Sequence, residues 1–197
     1  MMPQMCLSDA ALRFGGTLVN PDGYFSTVSI NSRTTNSGDL FVAIEGDKYD
    51  AHSYLSSVAD KISGAVVSRP NKALDIPQWV VQDTTKALGD LARLRRDNFQ
   101  GIVVALTGSS GKTSVKEAIA MILSQANQVH ATSGNLNNHF GVPLTLLAMD
   151  SKTDIAVIEM GASAIGEIDY LSSIAKPEIA RVNNCLLSTY AGSDSAP

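Results

Sequence analysis

Cysteine is scarce in this chain. Only Cys6 and Cys185 occur in 197 residues, near opposite ends and without metal-ligand spacing, so free thiols in a reducing compartment are the default. Long apolar runs are missing as well. Stretches such as Ile102–Leu106 are far too short to span a bilayer. The opening Met1-Met2-Pro3-Gln4-Met5-Cys6 has neither a basic n-region nor a continuous apolar segment. No secretory leader and no membrane insertion are therefore expected, and a cytoplasmic location is. Charge of one sign is equally sparse. Fifteen Lys+Arg stand against nineteen Asp+Glu, a net charge of −4, with no like-charge block longer than Arg95-Arg96. A nucleic-acid binder would show a basic patch or stripe, so no nucleic-acid partner is expected. Arg93, Arg95 and Arg96 read as a solvated helix face. What the chain does have is apolar material: 44% hydrophobic and 17% charged residues exclude a disordered chain and supply a core. The length fits one large domain or two small ones.

Residues 1–85 read as a small α/β unit rich in turns. Leu40–Ile44, Ala65–Val67 and Trp79–Val81 are short strand candidates. Leu55, Val58, Ala59 and Ile62 recur at helical spacing within His52–Ile62. Thr84 is placed as the N-cap of a helix through Leu88, Leu91, Ala92 and Arg95. Residues 86–100 then form a connecting helix and linker, with the pivot at Asn98-Phe99-Gln100-Gly101. From residue 101 the pattern becomes regular. Ile102–Leu106 is a buried strand of the parallel-sheet kind. Val115, Ala118, Ile119, Ile122, Leu123 and Ala126 form an apolar helical stripe. Further strands are expected near 128–131, 155–158 and 179–182, with helices from Pro143 and over 166–175. This strand–helix alternation predicts an α/β fold with a doubly wound parallel sheet over 101–197.

Between the first of these strands and its helix lies Gly108-Ser109-Ser110-Gly111-Lys112-Thr113. Glycines let backbone N–H groups converge on phosphate oxygens, and a helix N-terminus adds partial positive charge. Lys112 suits β/γ-phosphates and the Thr113 hydroxyl suits Mg²⁺. The general phosphate-loop pattern asks for glycine where Leu106 stands, so a structural turn is the competing reading. Glu159 ends a strand at the carboxyl edge, where open α/β sheets place ligands. There it is a candidate for the metal that Thr113 helps to hold, against an ordinary surface carboxylate. The segment Thr132–Pro143 holds Asn135, Asn137 and Asn138 between glycines, and taken alone it is explained by turn chemistry. His52 suits capping or packing as well as ligand contact. His130 alternates with apolar residues as a structural strand residue would, and His139 reads as a tolerated variant in preference to a nucleotide contact.

Taken together, Thr107–Thr113, Gly134–Pro143 and Val157-Ile158-Glu159-Met160-Gly161-Ala162 resemble the Mur ligases of peptidoglycan synthesis. In that family the shorter Gly-x-x-Gly-Lys-Thr loop is the norm, which removes the difficulty at Leu106. Asn31-Ser32-Arg33, Leu40–Asp47 and Asp50-Ala51-His52 resemble the family's nucleotide-sugar domain. Ser109-Ser110, Gly-Asn-Leu-Asn-Asn and Gly166-Glu167-Ile168 point to the branch that acts on UDP-N-acetylmuramoyl-tripeptide and D-alanyl-D-alanine. The resemblance implies ATP and Mg²⁺, phosphorylation of the tripeptide carboxylate to an acyl phosphate, and attack by the dipeptide amine. It assigns the nucleotide to Gly108, Ser109, Ser110, Gly111, Lys112, Thr113 and Asn138, with Lys112 catalytic. Metal falls to Thr113 and Glu159, and substrate to Ser32, Arg33, Asn135 and Asn138. It also implies a UDP-sugar domain over 1–85, an ATP-binding domain from 101, and a monomer.

After Asn184 the chain departs from the family's pattern: the expected His and Gly-Phe-Gly-Ser stretch do not appear in 185–197. A truncated central domain, no C-terminal domain and little ligase activity from this chain alone are the expectations. The alternative function is a non-catalytic UDP-sugar or nucleotide-binding module.

Overall fold

The structure is a computed structural model that describes residues 4–46 and 48–185. Asp47 of the nucleotide-sugar motif and the divergent tail from Leu186 lie outside the described residues.

The first half is built around a five-stranded sheet. Its strands are β2 (Thr17–Val19), β4 (Val28–Ser29), β5 (Leu40–Val42), β6 (Gly64–Val67) and β7 (Gln78–Val80), in the order β2-β7-β6-β5-β4. All neighbours are parallel except β2 on β7. Short β1 (Met5–Cys6) and β3 (Tyr24–Phe25) pair separately, and α1 (Leu7–Phe14) follows β1. The central strands are buried on both faces, as β5 and β6 show at every position. That is why they read as unbroken apolar runs rather than alternations. The helical pattern over His52–Ile62 gives only a 3-10 turn, Ala51–Tyr54, and a short α2, Leu55–Val58. The Asp50 side chain accepts the His52 N–H and starts that turn.

Helix α3 (Thr84–Asp97) is capped one residue earlier than the sequence suggests: Asp83, not Thr84, accepts the Lys86 N–H. α3 packs against α1 on one side and against α5 (Gly141–Leu147) and α6 (Glu167–Ala175) on the other. One apolar core therefore runs from Leu7 and Ala10 through Leu88 and Leu91 to Leu146 and Ile174. This double-sided packing corrects the solvated-face reading of the arginines. Arg93 is exposed, but Arg95 and Arg96 are buried. Arg96 reaches the C-terminal end of α6, donating from Nε to the Ala175 carbonyl at 2.8 Å and from Nη2 to that of Lys176 at 2.9 Å. A cation placed on those carbonyls satisfies groups the helix leaves open.

The second sheet is entirely parallel, with the order β11-β8-β10-β9 for β8 (Ile102–Thr107), β9 (Val129–Ala131), β10 (Ile155–Glu159) and β11 (Ile179–Val182). Helix α4 (Lys112–Leu123) follows β8, and its Val115, Ile119 and Leu123 cover one sheet face. α5 and α6 lie on the other face with α3. This is the doubly wound α/β arrangement. β11 is an edge strand with all four residues exposed.

Candidate active site

The register of the second sheet sets the site. Glu159 lies opposite Leu106, so the end of β10 stands beside the point where β8 opens into Thr107–Thr113. In this loop Gly108 has φ +148° and Gly111 has φ +75°, values that side chains rarely tolerate. A Cβ on Gly108 would also lie 3.0 Å from Asn183 Cβ. Lys112 opens α4 and turns back across the loop to donate to the Gly108 carbonyl at 2.8 Å. Thr113 follows, exposed, in the first helical turn. The outer side of the loop is fastened to the chain after β11. Ser109 N–H donates to the Asn184 carbonyl at 3.2 Å and Ser110 N–H to Asn184 Oδ1 at 3.0 Å, while Asn184 Nδ2 donates to Ser110 Oγ at 2.9 Å.

Glu159 is 1% exposed and deeply set. Its Oε1 accepts Asn137 Nδ2 at 2.8 Å, and its backbone N–H donates to Thr132 Oγ1 at 2.9 Å. Its Oε2 is buried and makes no hydrogen bond among the described residues. A buried carboxylate oxygen without a donor is costly unless a cation takes it. Hard divalent cations prefer such oxygens together with hydroxyl, phosphate and water. Glu159 Oε2 is thus chemically suited to Mg²⁺, and the exposed Thr113 hydroxyl is a second oxygen of the suitable kind. Buried Lys116 donates to the Thr132 carbonyl at 2.6 Å, joining α4 to the end of β9, where the asparagine loop begins.

The asparagines of the intervening loop divide their work. Asn135 is exposed, and its carbonyl accepts the Asn137 N–H at 2.8 Å. Asn138 Oδ1 accepts the N–H groups of Phe140 at 3.1 Å and Gly141 at 2.9 Å, capping α5. Asn137 is the one whose side chain touches Glu159. No local pattern separates it from its neighbours, and only the docking of the loop on β10 does so. The same holds for Thr132, Lys116 and Asn184.

Ser32 and Arg33 are elsewhere. They line a groove of about 530 Å³ with Ile30, Ile44, Tyr49, Tyr54 and, from the asparagine loop, Phe140. The Arg33 backbone is fixed by Asn31 Oδ1, which accepts its N–H at 3.0 Å. The two groups of residues are thus not in one pocket, but one loop reaches both: Asn137 at Glu159 and Phe140 in the groove. His52 has no ring nitrogen to spare. Its Nδ1 is 2.6 Å from Asp50 Oδ1, and its Nε2 accepts the Ser68 N–H at 2.9 Å. His130 Nε2 meets the Thr145 carbonyl at 2.9 Å, a structural contact, and exposed His139 leans on the Phe140 ring.

Comparison with known proteins agrees with this layout. A Mur ligase middle domain is recognised over residues 106–186. The chain is 45% identical over 184 residues to UDP-N-acetylmuramoyl-tripeptide–D-alanyl-D-alanine ligase of Escherichia coli (strain K12), covering 93% of this chain and 40% of that protein. It is 40% identical to the Bacillus subtilis (strain 168) ligase of the same name, over 86% of this chain and 38% of that one. Among solved structures, MurF from Acinetobacter baumannii superposes with a TM-score of 0.84 at 39% identity, over 92% of this chain and 41% of the other. MurF from Thermotoga maritima in complex with ADP does so at 0.73 and 34%, over 80% and 37%. The chain thus spans about 40% of the length of the curated relatives it matches. No helix among the described residues is long and apolar enough to cross a membrane. Because the similarity runs through both sheets and not through the phosphate loop alone, this chain belongs to the Mur ligase family.

Proposed function

We propose that this chain supplies the nucleotide-sugar groove and the phosphate and metal end of an ATP-dependent amide ligase. That ligase joins D-alanyl-D-alanine to UDP-N-acetylmuramoyl-tripeptide through an acyl phosphate. The observation that carries the reading is the buried, donorless Oε2 of Glu159 at the strand end beside the Gly108–Thr113 loop.

In this reading Gly108, Ser109, Ser110 and Gly111 cradle the ATP phosphates with the start of α4 behind them, the Ser109 and Ser110 N–H groups exchanging their Asn184 acceptors for phosphate oxygens. Lys112 leaves the Gly108 carbonyl for the β/γ-phosphates and stabilises charge during transfer to the tripeptide carboxylate. Thr113 and Glu159 hold Mg²⁺, which supplies charge neutralisation at the phosphate oxygens. Ser32 and Arg33 hold the UDP-sugar, and the planar Arg33 fork suits a diphosphate. Asn135 and Asn138 face nucleotide and tripeptide from the loop between the two sites. Residues 1–85 act as the substrate domain and residues from 101 as the nucleotide domain, joined by α3. The setting is cytoplasmic and the chain monomeric.

Calorimetric titration of the chain tests this. Lys112→Ala should abolish ATP·Mg²⁺ binding and leave UDP-N-acetylmuramoyl-tripeptide binding intact, while Arg33→Ala should do the reverse. Failure of the wild-type chain to bind either ligand, or loss of both in one variant that remains folded, would refute the assignment. Hydroxylamine added with ATP and the UDP-tripeptide distinguishes a chain that forms acyl phosphate from one that only binds.

A further inference from the structure

We infer that Asn137 positions Glu159, fixing its carboxylate so that one oxygen alone is offered to a divalent cation; this rests on the metal reading of Glu159 proposed above. A free glutamate carboxylate rotates about its last torsion and presents either oxygen or both. Here Oε1 is engaged by Asn137 Nδ2 at 2.8 Å, and Oε2 is buried with no donor. The hydrogen bond selects which oxygen stays open.

Asn137 can do this because it is itself held. Its backbone carbonyl accepts the Gly161 N–H at 2.7 Å, two residues beyond Glu159, and its own N–H is bound to the Asn135 carbonyl. Its side-chain amide lies against Gly161, where an added Cβ would stand 3.0 Å from both Cγ and Oδ1. Asn137 therefore docks its part of the loop on the end of β10 by backbone and side chain together. The other end of the loop holds the same strand: Thr132 N–H donates to the Val157 carbonyl at 3.0 Å, and Thr132 Oγ1 accepts the Glu159 N–H.

The residue type matters. An amide supplies a donor without charge, so it orients the carboxylate and leaves its full negative charge for the metal. A lysine in that place would neutralise it, and an aspartate would add a competing ligand. Hydrogen-bond partners of metal ligands characteristically change metal affinity by 10- to 100-fold when removed.

Mn²⁺ with ADP is the probe. Free Mn²⁺ is counted by electron paramagnetic resonance in the presence of chain and ADP, and ADP affinity is measured separately in EDTA. Asn137→Ala and the similarly sized Asn137→Leu should each weaken Mn²⁺ binding by about 10- to 100-fold and leave ADP affinity in EDTA at the wild-type value. Glu159→Gln should show the same signature. The double variant Asn137→Ala/Glu159→Gln should be no weaker than Glu159→Gln, because a group that acts through Glu159 has nothing left to act on. Wild-type Mn²⁺ affinity in both Asn137 variants would overturn the inference. So would full additivity with Glu159→Gln, or an equal loss of ADP affinity in EDTA. Wild-type Mn²⁺ affinity in Glu159→Gln would instead overturn the metal role of Glu159 itself.

Discussion

Arg96 and Glu178, 82 positions apart, form an ion pair in which the guanidinium is almost wholly buried while the other carboxylate oxygen accepts the Val103 N–H at 2.6 Å. The pair closes the bottom of the second sheet: Arg96 comes from α3, Val103 from β8, and Glu178 immediately precedes β11. Burial disfavours the charged carboxylate, but the Val103 N–H and Arg96 outweigh it and hold Glu178 below the usual carboxylate range.

Replacing Arg96 by Met removes the cation and strands the Ala175 and Lys176 carbonyls. The expected loss is about 2–3 kcal/mol, the scale of charge-assisted hydrogen bonds lost without replacement. Urea unfolding at constant slope measures it. A midpoint unchanged from wild type would show that the contact contributes nothing. Because the Glu178 carboxyl is depressed in the folded state, its contribution is present above the ordinary carboxylate range and fades as pH falls through and below that range. Its substantial exposure keeps this contribution small.

Arginine burial also marks where sequence reading stops. The apolar spacing of α3 identifies a helix and one covered face. It cannot reveal that α1 packs on one side and α5 and α6 on the other, nor that helix carbonyls some 80 positions later await Arg96. The two- and three-residue strands β1 to β4 are too short to carry an alternation, and α1 was equally silent. By contrast, Ile102–Thr107 and the glycines before Lys112 were legible because a buried parallel strand and a phosphate turn are local patterns. Glu159 was legible as the polar end of an apolar strand. Its partner Asn137 was not, because three asparagines in four positions look alike until one of them meets the sheet.

Thr132→Val keeps the shape of the side chain and deletes the acceptor of the Glu159 N–H. A buried backbone donor is then left without a partner, at about 1–3 kcal/mol. Thr132→Ser retains the hydroxyl and should recover most of that stability. Wild-type stability of Thr132→Val in chemical unfolding would show that the hydroxyl contributes nothing, and a Ser variant as destabilised as Val would show that the methyl group Ser lacks matters as much as the hydroxyl.

Gly161→Ala places a methyl group 3.0 Å from the Asn137 amide. The backbone there needs no left-handed conformation, so the effect is one of space alone. The methyl should push the amide off Oε1 and reproduce the Asn137→Ala pattern: weaker Mn²⁺ binding with ADP, unchanged ADP affinity in EDTA. Retained Mn²⁺ affinity would mean that the loop yields by the few tenths of an ångström required.

Phe140 is the asparagine loop's contribution to the groove of Ser32 and Arg33. Phe140→Ala should weaken UDP-N-acetylmuramoyl-tripeptide binding by roughly 5- to 10-fold, the scale of one lost aromatic contact, without changing ADP affinity. Calorimetric titration with each ligand separates the two. A matching fall in ADP affinity would indicate collapse of the loop and not loss of a groove wall.

His130 provides the clearest pH signature. It lies half-buried on β9, and its contact with the Thr145 carbonyl makes Nε2 the protonated nitrogen. Burial lowers its pKa, more than the Thr145 carbonyl and the Asp150 carboxylate raise it. The folded state therefore resists a proton that the unfolded chain accepts. Stability is present above the ordinary histidine range and is lost as pH falls through the depressed folded value. Wild-type chain should show a falling urea midpoint as pH drops from about 7 toward 5, the window in which histidine titrates. In His130→Gln the amide can still donate to the Thr145 carbonyl but cannot titrate, so its midpoint should be flatter over the same window. Parallel pH profiles for the two proteins would mean that His130 takes up its proton in the folded state without cost, which a half-buried ring donating to a carbonyl should not allow.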